Sequence, residues 1–318
     1  MIVTFSIVTS SRWILSPTGQ AAPRGAGIAG AALRILVGLL WLYNVSWKRA
    51  PDFGQDSGKG LFGFTQDAVD HPVFPPFSWL VEHLVLPNFA VFGWSVLVIE
   101  SALAVLLLTG TYVRLAALVG IAQSLAIGLS VAQTPGEWPW SYWLMISVHV
   151  ALLFGTSGSV FAVDAVRAEG IRADSASHPA WRSLALGWGG VISVAAIVAL
   201  LMSIGDSPFT SSGARLGGPG LSIGLGSYNL AGSILLLVCG VSLLTTVLTR
   251  RHALAIGAAG AGAVAAVVVY AQSASSASIL GGTNTSAAFF VCIAVIGAAV
   301  WSAGQPNSTP WASGSSVE

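Results

Sequence analysis

Eight apolar runs of about 20 residues each punctuate this chain, at positions 28–47, 89–108, 112–132, 142–158, 184–204, 228–249, 252–271 and 287–303. At ~1.5 Å of rise per residue, a helical run of that length matches the hydrocarbon layer of a lipid bilayer. Composition agrees, since 54% of the 318 residues are hydrophobic, only 8% are charged, and the mean hydropathy is +0.79. The expected fold class is all-α, a polytopic transmembrane helical bundle. Thirteen basic residues against twelve acidic ones provide no cationic surface for nucleic acid and no acidic tail. Cys239 and Cys292 fall in apolar runs far apart in sequence, with neither CxxC nor metal-ligand spacing, and read as small buried apolar residues. Electron chemistry would then need a partner or a bound cofactor.

Basic residues in the short connections set the expected orientation. With the N-terminus inside, Arg12, Arg24, Arg114, Arg167, Arg172, Arg182, Arg250 and Arg251 face the cytoplasm, while Lys48, Arg49, Lys59 and Arg215 face out. Both termini of this multi-pass protein of the cell membrane are thus expected to be cytoplasmic. Residues 1–25 read as a cytoplasmic or interfacial lead-in, because Arg12 follows the first apolar stretch whereas a signal peptide carries its charge first. A polar segment rich in Gly, Ser and mixed charge divides the chain. The expected domains are a four-helix unit over 1–166 with a long outer loop at 48–88, a cytoplasmic linker at 167–183, a second four-helix unit over 184–304, and a disordered cytoplasmic tail at 305–318. The second unit is rich in Ala, Gly and Ser, which lets helix backbones approach closely. In the outer loop, residues 76–87 are too few to span and read as a helix lying on or dipping into the outer face. His71 and His83 nearby have no third ligand and no metal-site spacing, so no metal is expected.

The helix around Phe92–Arg114 carries one carboxylate, Glu100, deep in its apolar run. A charge at such a depth costs about 2.5–3.5 kcal/mol on the insertion scale and faces a partner inside the protein. Counted from the cytoplasmic ends, Arg34 lies roughly 9 Å deep, Glu100 roughly 12–15 Å, and Gln123 and His149 roughly 13–16 Å. The expectation is an Arg34–Glu100 ion pair flanked by Gln123 and His149. Two roles stay open for it: a clasp that fixes helix register, or a polar pocket that binds a quinone head group or passes a proton. Arg114 and Asp164 sit near the inner face, where they can snorkel or cap a helix. Glu137 and Trp138 lie among aromatics on the outer side, as a rigid Pro-Gly turn with an aromatic anchor or as a substrate mouth.

One set of spaced residues resembles a known family. Arg34-Ile-Leu-Val-Gly38 followed by Trp41 and Lys48, then Gly93 and Glu100, Gly110 and Arg114, and Gly155-Thr-Ser-Gly158 leading to Asp164, is similar to the DoxX-like membrane proteins over residues 28–166. The likeness is greatest to their DoxD branch, the small subunit of thiosulfate:quinone oxidoreductase. The resemblance implies a four-helix membrane unit beside a second oxidoreductase subunit, with quinone as electron acceptor. The four helices after residue 183 are a departure from that basic unit. On this reading Glu100 and His149 manage quinone protons at the catalytic layer, where Arg34 pairs with Glu100 and Gln123 lines the pocket. Lys48 and Arg49 attract an anionic sulfur donor at the outer mouth, where Glu137 and Trp138 also lie. The alternatives are a non-catalytic scaffold that docks a soluble oxidoreductase, and a small-solute permease.

Overall fold

The computed structural model describes residues 13–17, 23–171, 180–210, 213–218, 223–272 and 279–305. Most of the expected lead-in, the centre of the linker and nearly all of the tail lie outside the described residues. The first membrane helix, α1, is Arg24–Ser46, followed on one face by α2, Gly60–Asp70. Helix α3, Pro75–Leu80, runs through a π turn at Val81–Val85 and a 3-10 turn at Leu86–Asn88 into α4, Phe89–Thr109. Then come α5, Val113–Val131, α6, Pro139–Phe154, and the short α7, Val163–Ile171. The second half contains α8, Ala180–Met202, a hairpin of β1, Ala214–Gly218, and β2, Ile223–Tyr228, then α9, Leu230–Thr249, α10, Ala253–Gln272, and α11, Asn284–Ser302.

Seven of these helices are long and apolar enough to cross a membrane, counting Pro75–Thr109 as one 35-residue rod, while α6 has only 16 residues. The chain is thus an all-α, multi-pass membrane protein with a single small hairpin among the described residues. The surface helix expected at 76–87 is instead the upper part of the α3–α4 rod. Pro87 explains how: its ring cannot fit against the carbonyl four residues back, and the wider π turn just before it makes room. Asn88 Nδ2 then donates to Leu84 O at 2.9 Å, which satisfies a carbonyl left open by the irregular turns.

Contacts between helix ends define two faces of the bundle. On one, Arg34 reaches the 157–161 segment, Trp13 meets Phe154, and the His252 ring lies 4.6 Å from Trp181 while bonding Val300 O at 2.8 Å. This is the Asp164 face. The opposite, hairpin face carries the 47–74 loop and the β strands. The hairpin is antiparallel, with Ala214 opposite Tyr228 and a bulge at Leu216/Gly217. It is sealed on the first turn of α11, where Ser286 Oγ donates to Ser227 O at 2.8 Å and accepts from Ser227 N at 2.9 Å. Gly226, at φ +103, is needed there, because a Cβ would collide with Ser286.

The expected boundary near residue 166 divides the sequence, yet the apolar core is continuous across it. Trp41, Leu107 and Leu152 belong to one buried cluster with Ile192, Leu243 and Phe290. Helix α11 is the hinge of this arrangement, touching α1 and α4 as well as α8 and α10. Small residues set the spacing in the second half: at Gly240 of α9 a Cβ would stand 2.9 Å from Ser193 N and 3.1 Å from Gly189 O of α8. Gly240→Leu should therefore force α8 and α9 apart and cost about 3 kcal/mol or more. Gly257→Leu, at a site with no neighbouring atom within 4 Å of the added Cβ, should leave stability unchanged. Chemical unfolding of the purified protein in micelles checks both.

Candidate functional site

Glu100 has a partner, and it is Lys48, not Arg34. Lys48 Nζ lies 2.5 Å from Glu100 Oε2, an oxygen with no other hydrogen-bond partner, and Gln123 Nε2 donates to Glu100 Oε1 at 3.3 Å. Glu100 is 1% exposed and Lys48 2%. Lys48 stands just past the end of α1 and folds back along it, donating to Asn44 O at 3.0 Å with its ammonium 3.9 Å from the centre of the Trp47 ring. The expected Arg34–Glu100 pair fails on depth: Glu100 is level with Asn44, and Arg34 is ten residues further down α1, roughly 15 Å away.

Arg34 is instead the cap of a helix end. Its Nη1 donates to Leu107 O and to Leu108 O (3.0 Å), two carbonyls in the last turn of α4. Nε donates to Ser157 O at 2.9 Å and Nη2 to Phe161 O at 2.8 Å. Opposite it, Asp164 accepts from Tyr112 N and Val113 N at 3.1 Å each, capping the start of α5, and pairs with Arg167 at 2.7 Å. Asp164 N donates to Gly110 O at 2.9 Å, so one knot ties the α4–α5 turn to the start of α7. Arg34, Gly110, Ser157 and Asp164, all among the residues of the DoxX-like pattern, meet in this knot.

His149 is held by both ring nitrogens. Trp41 Nε1 donates to Nε2 at 3.0 Å, and Nδ1 donates to Met145 O at 2.7 Å, which defines a neutral ring. Gly120 of α5 lies so close to the imidazole that a Cβ there would collide with it. The structure therefore does not bring His149 to Glu100. Arg114 donates to Trp13 O at 3.0 Å and Ser16 Oγ at 2.7 Å, with the Trp13 ring 4.5 Å away, so it anchors the described part of the lead-in. Glu137 accepts from Tyr142 OH at 2.5 Å, and Trp138 beside it is 67% exposed.

Two concavities adjoin these residues. On the hairpin face a cavity of about 580 Å³ opens between the two halves, with Lys48 and Arg49 on one wall and Arg215 and the 282–285 segment on the other. A recess of about 70 Å³ lies between α5 and α6, bordered by Ser124, Gly128, Tyr142 and Trp143. Ser124 Oγ is buried there without a hydrogen-bond partner. Sequence reasoning passed over Ser124 and Thr285, and placed Arg215 on the outer side without giving it a role in a site. Arg215 alone carried a signal, as a basic residue in a Gly-rich stretch between two apolar runs.

Comparison with known protein families, with curated protein sequences and with solved structures returns no match. What the fold and site define is a multi-pass helical membrane protein with an ion pair buried beneath one face.

A double-mutant cycle tests the new pairing. Lys48→Met or Glu100→Gln alone should cost about 3–5 kcal/mol of unfolding free energy, because each strands a buried polar partner, and the double variant should regain much of the loss. Arg34→Met should combine with Glu100→Gln additively, to within about 0.5 kcal/mol.

Proposed function

We propose that the chain is a DoxX/DoxD-like membrane subunit of an oxidoreductase that passes electrons from a reduced sulfur donor of the thiosulfate kind to quinone. The observation that carries this reading is the Lys48–Glu100–Gln123 group, a carboxylate kept within the apolar layer by an ammonium and an amide. Intramembrane carboxylates of this kind serve proton transfer, and a quinone reduced in the membrane must take up protons. His149 offers no hydrogen bond to a quinone, since both nitrogens are engaged. The α5–α6 recess fits better: Ser124 has a free hydroxyl for a quinone carbonyl oxygen, next in sequence to Gln123. At about 70 Å³ the recess admits the edge of a ring and not the whole of it. Quinone, when bound, accepts the electrons; the chain's own residues hold its edge and keep an ionisable group nearby. Contact with the donor falls to the hairpin face and to a second subunit.

The saturation of Arg34 and His149 favours a second reading, a scaffold that docks a soluble oxidoreductase without handling protons. Thiosulfate-dependent quinone reduction in membranes that retain the native partners separates the two. The oxidoreductase reading predicts turnover, and a drop of about a hundredfold per folded molecule in Glu100→Gln, the scale of a lost acid–base group. Turnover that survives this substitution in the folded fraction supports the scaffold.

A further inference from the structure

We infer that the cavity on the hairpin face is a binding site for a doubly charged oxyanion group, built jointly by the two halves of the chain. Its walls carry two arginines, Arg49 after α1 and Arg215 on β1. Among the described residues neither has an ion-pair partner and no carboxylate lines the cavity. The third cation, Lys48, is already neutralised by Glu100. The net surplus is thus two positive charges, which matches a phosphate- or sulfate-like group better than a singly charged anion.

The floor is equally suited to an anion. Thr283, Asn284 and Thr285, the cap and first turn of the 19-residue α11, line the cavity. The amides at the first two positions of a helix have no partner within it, and the macrodipole places partial positive charge there. The cap itself is spent elsewhere, Thr283 Oγ1 accepting from Ser286 N. Thr285 supplies an independent sign of a ligand: the residue lines the cavity and is 3% exposed, and its buried hydroxyl has no hydrogen-bond partner. A buried orphan hydroxyl is costly unless something occupies the space before it. Asn284 does not compete for the ligand, because its Nδ2 donates to Lys48 O at 2.6 Å and so fastens the two walls together.

The volume, about 580 Å³, exceeds that of a bare oxyanion, and the half-exposed Tyr43 near the end of α1 forms part of the rim. The same chemistry therefore suits a free oxyanion or the phosphate of an anionic lipid headgroup. The inference goes beyond the oxidoreductase reading and holds whether or not electrons reach quinone, because Arg215 and Thr283–Thr285 belong to the second half.

The test uses the full chain in nanodiscs, with isothermal titration of inorganic phosphate and of sulfate at constant ionic strength set by chloride. Free oxyanion binding should be saturable, with Arg49→Gln and Arg215→Gln each weakening it about tenfold and Thr285→Val about threefold, all three remaining folded by circular dichroism. A second arm compares retention of phosphatidylglycerol by the purified protein and by Arg215→Gln, read by native mass spectrometry. Retained lipid that Arg215→Gln loses, without free-anion binding, assigns the site to a headgroup. No binding in either arm, or binding that neither arginine affects, overturns the inference. Phosphate binding without thiosulfate turnover would leave it intact and count against the oxidoreductase reading alone.

Discussion

The ion pair between Lys48 and Glu100 is the constraint around which the rest of the structure is arranged. A carboxylate nine residues above the end of α4 cannot remain alone in an apolar layer, so the chain must bring a cation to it. The cation comes from the loop after α1, and its commitment pulls that loop down over α4, where Phe53 packs against Gly93 with no room for a Cβ between them. Lys48 also offers its backbone carbonyl to Asn284, so the first turn of α11 is fastened at the same point. One electrostatic requirement thereby sets the loop, joins the two halves and shapes the wall of the cavity above.

At the other face the work is done by backbone capping. Arg34 closes the C-terminal end of α4 and Asp164 the N-terminal end of α5, so the turn between them is held by two opposite charges that never meet a membrane-depth counter-ion. Charged residues of the first half thus divide into a pair that ties loop to bundle and a knot that ties helix ends together. The second half needs neither, because close approach of small residues such as Gly189, Ser193 and Gly240 holds its helices.

The helices were legible because apolar runs of membrane length have few alternative structures; the short fourth run forms an apolar helix of 16 residues, below the length of the seven membrane-crossing candidates. Charge pairing was less so. Depth counted along each helix treats side chains as if they stayed level with their Cα atoms, and Lys48, beyond the helix end, folds back by about one turn. Arg34 was misassigned for a different reason: its partners are backbone carbonyls, which every residue carries and no side-chain pattern reveals. The hairpin escaped because its strands are short and glycine-rich, with no alternation to mark them, and because its stability comes from α11, distant in sequence. Of the residues in the DoxX-like pattern, Glu100 and Lys48 meet near one face while Arg34, Gly110 and Asp164 meet at the other.

The measurement that bears most directly on the ion pair is isotope-edited infrared spectroscopy of the protein labelled at its glutamate carboxyl carbons. The account predicts that the wild type contains one ionised carboxylate shielded from solvent exchange, absent in Glu100→Gln and converted to a protonated carboxyl band in Lys48→Met. A protonated Glu100 in the wild type, or a carboxylate band that Lys48→Met leaves unchanged, would contradict it.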